Sequence, residues 1–317
     1  MSRIVVTGAS GFIGRQLCET LLRRGDQVVA AVRSGNALIP AGVERRNTGD
    51  LRVRADLQDV LQGADALVHL AARAHVMRES ASDPERAFFE ANLEVTRHLA
   101  QQAAAAAVRR FVFLSSVKVN GERTLERPFT EADTPGPEDA YGRSKWAAEQ
   151  ALFEIAAESG LEIVVLRPPL VYGPGVKANF LRLLKLVARE VPLPLAGVQN
   201  KRSLVSVWNL CDLMALCLHH PAAAGETFLV SDQEDLSTPE LIHILADALR
   251  RRPRMFPFPR SLLQGLAAWF GQGGAAERLL GSLQVSSEKA TKRLDWSPPL
   301  RVRDGIARTA DWFLKNG

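Results

Sequence analysis

Three cysteines, Cys18, Cys211 and Cys217, are all the thiol this chain holds. Their number is odd and their spacing wide, so neither a disulfide framework nor a thiolate zinc site is indicated, and a reducing compartment suits them. Long hydrophobic runs are also lacking. No stretch approaches the ~20 apolar residues that a bilayer crossing needs, and the N-terminus enters the apolar run RIVVTG without the basic region or cleavage-like site of a secretory signal. The expectation is a cytoplasmic protein with no membrane partner. Histidine offers no ligand spacing: His69, His75 and His98 are scattered, and His219 with His220 reads as a helix end before Pro221, so no metal is expected. Charge of one sign does not dominate. The 40 Lys and Arg stand against 35 Asp and Glu, and the formal charge of +5 suits a small anion rather than a nucleic acid. The basic run LRRRPR, residues 249–254, has no interleaved aromatics and reads as a solvated helix end. The apolar stretch 262–271 lacks the cationic opposite face of a membrane-surface helix and reads as packing.

What is present is a core-forming pattern. With 46% hydrophobic residues in 317, the chain can bury a large core, and its length suggests about two domains. The runs RIVVT, QVVAAV, ALVHL, RFVFLSS and EIVVLRP are nearly continuous apolar strands, as in a parallel sheet covered on both faces. Residues 12–24, 86–107 and 141–159 are each long enough for a covering helix. Strand and helix therefore alternate, which predicts an α/β doubly wound parallel sheet of the Rossmann type over residues 1–170. Beyond Pro168 turns and prolines interrupt the pattern, and residues 171–317 read mainly as a smaller α/β substrate-binding lobe. SLVSV and TFLVS, within 203–232, are expected to add strands to the first sheet. STPEL reads as a helix start with Thr238 as cap and Pro239 at the first position.

The turn VVTGASGFIG joins the first strand to the first helix. Gly8, Gly11 and Gly14 permit a tight turn and close approach of a ligand, and the helix start at Phe12 and Ile13 offers free N–H groups to a pyrophosphate. The spacing is G-x-x-G-x-x-G rather than the commoner G-x-G-x-x-G. Asp56, followed by Leu57, is placed for an adenine amino group, and Leu70, Ala71 and Ala72 follow a strand at the ligand crevice. At the end of the second strand stand Val32, Arg33 and Ser34, where an NAD-binding sheet usually has a carboxylate for the ribose 2′-hydroxyl. Arg33 can instead pair with a 2′-phosphate, with Arg15 as a second candidate, which gives NADP(H) a slight preference over NAD(H).

Tyrosine occurs twice, and Tyr141 stands in YGRSKWAAEQ one helical turn before Lys145. That spacing puts phenol and ammonium on one helix face, where the lysine charge is expected to lower the phenol's pKa. Ser115 and Ser116 end a strand near the same crevice. A serine orienting an oxygen, a tyrosine moving its proton and a lysine holding ribose hydroxyls form a complete set for alcohol and ketone interconversion with a nicotinamide.

At these residues the chain resembles the extended short-chain dehydrogenase/reductase family, in its NAD-dependent epimerase/dehydratase branch acting on nucleotide sugars. The matching pieces are TGASGFIG (7–14), ADL (55–57), HLAA (69–72), Asn92 in EANLEVTRHL, SSVKVNG (115–121), YGRSK (141–145) and RPPLVYGPG (167–175), in family order. The resemblance implies Ser116, Tyr141 and Lys145 as catalytic residues. It implies Asn92 as support for the active-site backbone and Pro168 as a cofactor contact. Asn179, Arg202 and Arg278, together with Ser115 and Ser116, are implied to hold a nucleotide-diphosphate sugar, and a homodimer is implied. Asn120 departs from the family's frequent tyrosine, and Ser203 and Asn209 replace usual aspartates. The implied activity lies at C4 of a UDP-linked sugar. Reduction of a UDP-4-keto-hexose for surface-polysaccharide precursors is the first expectation. A UDP-hexose 4-epimerase with retained NAD, and a non-catalytic dinucleotide-sensing scaffold, are the alternatives.

Overall fold

The computed structural model describes residues 1–53, 55–74, 83–259, 262, 263, 265, 277 and 279–316. Seven parallel strands form the main sheet: β1 (Arg3–Thr7), β2 (Gln27–Val32), β3 (Glu44–Asn47), β4 (Ala66–His69), β5 (Arg110–Leu114), β6 (Glu162–Arg167) and β9 (Glu226–Leu229). Their order is β3-β2-β1-β4-β5-β6-β9, so the chain reverses its direction of travel between β1 and β4. In such a sheet the crevice for a ligand opens at that point, beyond the strands' carboxyl ends.

The strand sequences explain the two layers of helices. Side chains alternate across the pleat, so Ile4 and Val6 enter one core and Val5 the other. On the first face lie α1 (Phe12–Arg23) and α7 (Val207–His219), packed through Leu17, Cys18, Leu21, Leu210 and Cys211. On the second lie α4 (Val95–Ala105) and α5 (Ala140–Ser159), through Leu99, Ala103, Ala148 and Leu152. All three cysteines are buried as reduced thiols. The short helices α2 (Gln58–Leu61) and α3 (Pro84–Phe89) complete this half, and α3 runs into α4 through a π-helical turn, Glu90–Glu94.

A separate core lies beyond β6. It is built by α6 (Ala178–Ala188), α8 (Thr238–Leu249) and α10 (Val302–Asn316), with Phe180, Leu184, Leu245, Ile306 and Phe313 inside, whereas the short α9 (Glu288–Leu294) flanks β9 and buries Ala290 and Leu294 in the first core. Here the run 203–207 departs from expectation. Its strand β8 (Leu204–Ser206) pairs with β7 (Leu170–Tyr172) in a two-stranded sheet of its own, while 226–229 does join the main sheet beside β6. The cap of α8 is Ser237 rather than Thr238: its hydroxyl accepts from Glu240 N at 3.2 Å, and Glu240 accepts from Ser237 N at 2.7 Å. The reciprocal pair satisfies two donors that a Thr238 cap would leave open. Among the described residues no helix is long and apolar enough to cross a membrane.

Candidate functional site

The glycine loop is built so that side chains are excluded. Gly8 has φ +70°, and a Cβ there would lie 2.8 Å from Ala71 N. A Cβ on Gly14 would lie 2.2 Å from Gly8 O, so the helix must pack directly on the turn. Gly11 caps α1 without any side-chain bond, which leaves the first N–H groups of a 12-residue helix open to an anion. Leu70 and Ala71 lie against this loop, with Leu70 N donating to Thr7 O at 3.3 Å, and Ala72 follows them in the chain. A dinucleotide fits a cradle of this form: backbone donors, no Cβ in the way, and an apolar wall following β4.

The next layer is a chain of buried hydrogen bonds. Thr96 Oγ1 donates to Asn92 O at 2.5 Å, so it accepts from His69 Nε2 at 3.1 Å. That assigns the proton to Nε2 and leaves Nδ1 to accept from Thr7 Oγ1 at 2.6 Å. His69 stacks on Phe113, and burial, with the Lys145 charge as the smaller cause, lowers its pKa to about 3. Asn92 is fully buried within the π-helical turn. Its Oδ1 accepts from Arg73 N at 2.8 Å, and its Nδ2 donates to Ser144 Oγ at 3.0 Å. One side chain thereby ties the segment after β4 to α5.

Helix α5 starts at Asp139, whose carboxylate accepts from Gly142 N at 2.7 Å, and this fixes the first turn that carries Tyr141. The Ser116 hydroxyl lies close enough to the Tyr141 phenol to favour its ionised form. Lys145, one turn on, is buried and donates to Leu114 O at 2.9 Å, with its ammonium 4.3 Å from the centre of the Phe113 ring. The three expected residues therefore meet at the carboxyl end of β5.

Their electrostatics differ from the expectation. Burial pushes the Tyr141 phenol up to about 12, the Ser116 hydroxyl nearby opposes that, and Asp139 adds to it. Lys145 is brought down to about 7, again by burial, with Glu149 pulling the other way. The lysine supplies less charge than a solvated ammonium because its own desolvation disfavours the charged form.

Ser115 is a second correction. Its hydroxyl donates to Glu149 Oε1 inside the protein, so it does not face the crevice where a substrate contact was expected. Val117 N takes Pro168 O at 3.0 Å, which ties the end of β6 to the serine turn. Arg33 is exposed at the end of β2, and Asp50 is near enough for its carboxyl to feel that charge. Asp56 is exposed and accepts from Gln58 N at 2.9 Å, turned toward its own short helix, while Leu57 beside it is buried. Asn179 is the second residue of α6 and half-buried. Arg202 pairs through its backbone with Leu236 and bridges to Leu283, and its Nη1 donates to Gly281 O at 3.0 Å. Arg278 lies outside the described residues.

Glu149 and Arg167 carry much of the buried polarity behind this site, and sequence reasoning passed over both. The signal was present as a lone acid two helical turns after Tyr141 on an alanine-rich face. Among the described residues there is no group of three or more His, Cys, Asp or Glu side chains that could hold a metal ion.

The sequence pattern of the NAD dependent epimerase/dehydratase family matches residues 4–231. A UDP-glucose 4-epimerase of Vibrio cholerae is 41% identical over 319 residues, covering 98% of this chain and 95% of that protein. Among solved structures, the UDP-glucose 4-epimerase of Thermus thermophilus in complex with NAD is 26% identical. It superposes with a TM-score of 0.78 over 99% of this chain and 100% of that one. The UDP-glucuronic acid 4-epimerase of Bacillus cereus in complex with NAD is similar in fold, with a TM-score of 0.80 at 22% identity, covering 99% and 96% of the two chains.

Proposed function

The chain belongs to the NAD dependent epimerase/dehydratase family and is an enzyme that uses NAD(P), and from that premise we propose that it inverts C4 of a UDP-linked hexose. The route is oxidation at C4 to a ketone, turnover of the sugar, and reduction from the opposite face, with no net redox change. The observation that carries the chemistry is that the Tyr141 phenol, the Ser116 hydroxyl beside it and buried Lys145 come together at the carboxyl end of β5. The 41% identity to the Vibrio cholerae relative favours inversion over one-way reduction, which the sequence alone had put first.

Bound NAD supplies the hydride acceptor and donor. Ser116 holds the C4 oxygen, and Tyr141 takes its proton on oxidation and returns it on reduction. Burial keeps the Tyr141 phenol protonated, which is the form that returns the proton on reduction; taking the proton on oxidation requires the phenolate, which a charged Lys145 beside it favours. Lys145 lies beneath, oriented by Leu114 O, and presents its remaining N–H bonds to ribose hydroxyls. Gly8, Gly11 and Gly14 receive the pyrophosphate. Arg202 and Asn179 are assigned to the substrate diphosphate.

NAD(H) suits the cofactor site better than NADP(H). The NADP(H) reading rests on Arg33, whereas the similar 4-epimerases of Bacillus cereus and Thermus thermophilus are in complex with NAD. The second reading, NADPH-driven reduction of a UDP-4-keto-hexose, retains one observation in its favour: no carboxylate stands at the end of β2 itself, where Val32 leads into Arg33.

Chemical balance tests the choice. Purified protein incubated with UDP-glucose, UDP-galactose and their N-acetylated counterparts should interconvert a C4 pair without net appearance of reduced cofactor, and NAD should be released on denaturation. Stoichiometric consumption of NADPH with a UDP-4-keto-hexose, and no interconversion, would establish the reductase instead.

A further inference from the structure

Behind Tyr141 and Lys145 lies a closed polar cluster that neither proton transfer nor cofactor contact uses. Helix α5 presents Tyr141, Lys145 and Glu149 at successive turns of one face. Glu149 is fully buried, and Arg167, the last residue of β6, is 4% exposed. The guanidinium grips the carboxylate through its Nε–Nη2 edge: Nε lies 3.1 and 3.2 Å from Oε1 and Oε2, and Nη2 lies 2.5 Å from Oε2. The remaining arm, Nη1, donates to Asn120 Oδ1 at 3.1 Å, and Asn120 Nδ2 donates to Thr130 O at 3.1 Å. The Trp146 ring lies under the guanidinium, 5.7 Å from centre to Cζ.

This cluster converges on four consecutive residues. Leu114 O accepts from the Lys145 ammonium, Ser115 Oγ donates to Glu149 Oε1, Ser115 N donates to Leu166 O at 2.8 Å, and Val117 N donates to Pro168 O at 3.0 Å. Ser116 is the residue so bracketed, and its hydroxyl is the one beside the Tyr141 phenol. A buried Arg–carboxylate pair is a poor source of stability, since apolar residues of equal volume often do as well. What it supplies is direction, because a bidentate fork fixes both partners in plane.

We infer that Glu149 and Arg167 are positioning residues, which lock the 114–117 turn and the Lys145 ammonium so that the Ser116 and Tyr141 hydroxyls stay aligned on the reacting oxygen. The inference rests on the proposed roles of Ser116, Tyr141 and Lys145. It also fixes a sign. Glu149 favours the charged form of Lys145, so its loss makes Lys145 give up its proton at lower pH. The other groups around the pair are His69 from β4, which is neutral, Tyr141 and Asp139 at the start of α5, and Glu131, whose carboxyl feels Arg167.

The test uses the intact protein and two readouts. NAD affinity, followed by quenching of tryptophan fluorescence from pH 5.5 to 9.5, needs no sugar substrate. In Glu149→Gln, which keeps the shape and an acceptor for Ser115, the loss of affinity at alkaline pH should begin about one pH unit lower than in the wild type. Turnover with whichever sugar the wild type accepts should fall roughly tenfold or more with KM nearly constant, as misalignment at the reacting centre implies. The double variant Glu149→Leu with Arg167→Met should recover most of the thermal stability lost by Glu149→Gln without recovering turnover.

Return of turnover together with stability in the double variant would reduce the pair to a structural role and overturn the inference. An alkaline limb at the same pH in Glu149→Gln and wild type would overturn it too, and that arm decides if the double variant does not fold. A wild type that accepts no UDP-hexose refutes the proposed reaction, while the NAD arm still tests the positioning pair.

Discussion

At the scale of single residues, two groups have properties set by what surrounds them. Tyr141 stands beside Ser116 at the first turn of α5, and its phenol has no part in the packing of either face of the sheet. Tyr141→Phe should therefore fold and bind NAD within a few-fold of the wild type while turnover falls by roughly 10²-fold or more, measured as initial rate and by fluorescence titration. His69 makes the opposite case, a titratable group whose role is to stay neutral. Its folded pKa of about 3 lies below the unfolded 6.5, so between these values the unfolded chain binds more protons. Stability should rise with pH across that window and be lost as pH falls from about 6.5 toward 3, by up to ~1.4 kcal/mol per pH unit from this group. Urea melts at pH 4.5 and 7 should show a smaller difference in His69→Gln than in the wild type. The Tyr141 and Lys145 pairing was legible in the sequence because their spacing has one geometric meaning on a helix. The direction of their pKa shifts was not, since desolvation depends on what covers the helix, and no local pattern reveals that. Ser115 failed for a related reason: adjacent strand residues point to opposite sides, and sequence did not show that its side already held Glu149.

Secondary-structure elements divide in the same way. The five apolar strands were read almost to the residue because parallel strands buried on both faces have little else they can be. The polar strand β3, Glu-Arg-Arg-Asn, gave no such signal. It sits at the edge of the sheet, paired on one side only with β2 from Val29 to Val32, and pairing rather than burial makes it a strand. The helix expected at 86–107 begins at Pro84 under an Asp83 cap, and its middle is wound as a π-turn at 90–94. That turn carries Asn92. One extra residue in the turn re-aims its side chain, which reaches both the loop after β4 and the start of α5, and such a widening has no propensity signature. The run at 203–207 was recognisable as a strand, but its partner was not. β7 lies only two residues beyond β6, and this short connection carries the chain off the main sheet and gives β8 its neighbour.

For the whole molecule, the question is how firmly the second core is joined to the sheet. Tyr172 sits at the junction, fully buried and stacked on Phe180 with ring centres 5.4 Å apart. Its hydroxyl donates to Asp232 Oδ2 at 2.7 Å, just beyond β9, with Val302 O of α10 3.3 Å away. Asp232 in turn accepts from Ser206 N at 2.9 Å and from Asn209 Nδ2 at 2.6 Å, and Asn209 also donates to Leu300 O at 2.7 Å. One knot thus joins β7, the start of α7, the end of β9 and the entry to α10. Directly after it, Gly173 leaves no room for a side chain, since a Cβ would meet Val207 Cγ1 at 2.5 Å and Phe12 Cε2 at 3.5 Å. The helix of the glycine loop is therefore in contact with the turn that leads into the second core. Elements joined this closely should unfold together, in one transition that reads the same by circular dichroism and calorimetry. Removing only the hydroxyl, Tyr172→Phe, leaves the ring stack but takes a donor from a buried carboxylate, a loss of about 1–3 kcal/mol. In a chain of this length that lowers Tm by roughly 1–5 °C, still as a single transition. Two separated transitions in the variant would instead mean that this knot is what makes the two cores cooperative. An unchanged Tm would mean that Asp232 is satisfied without Tyr172.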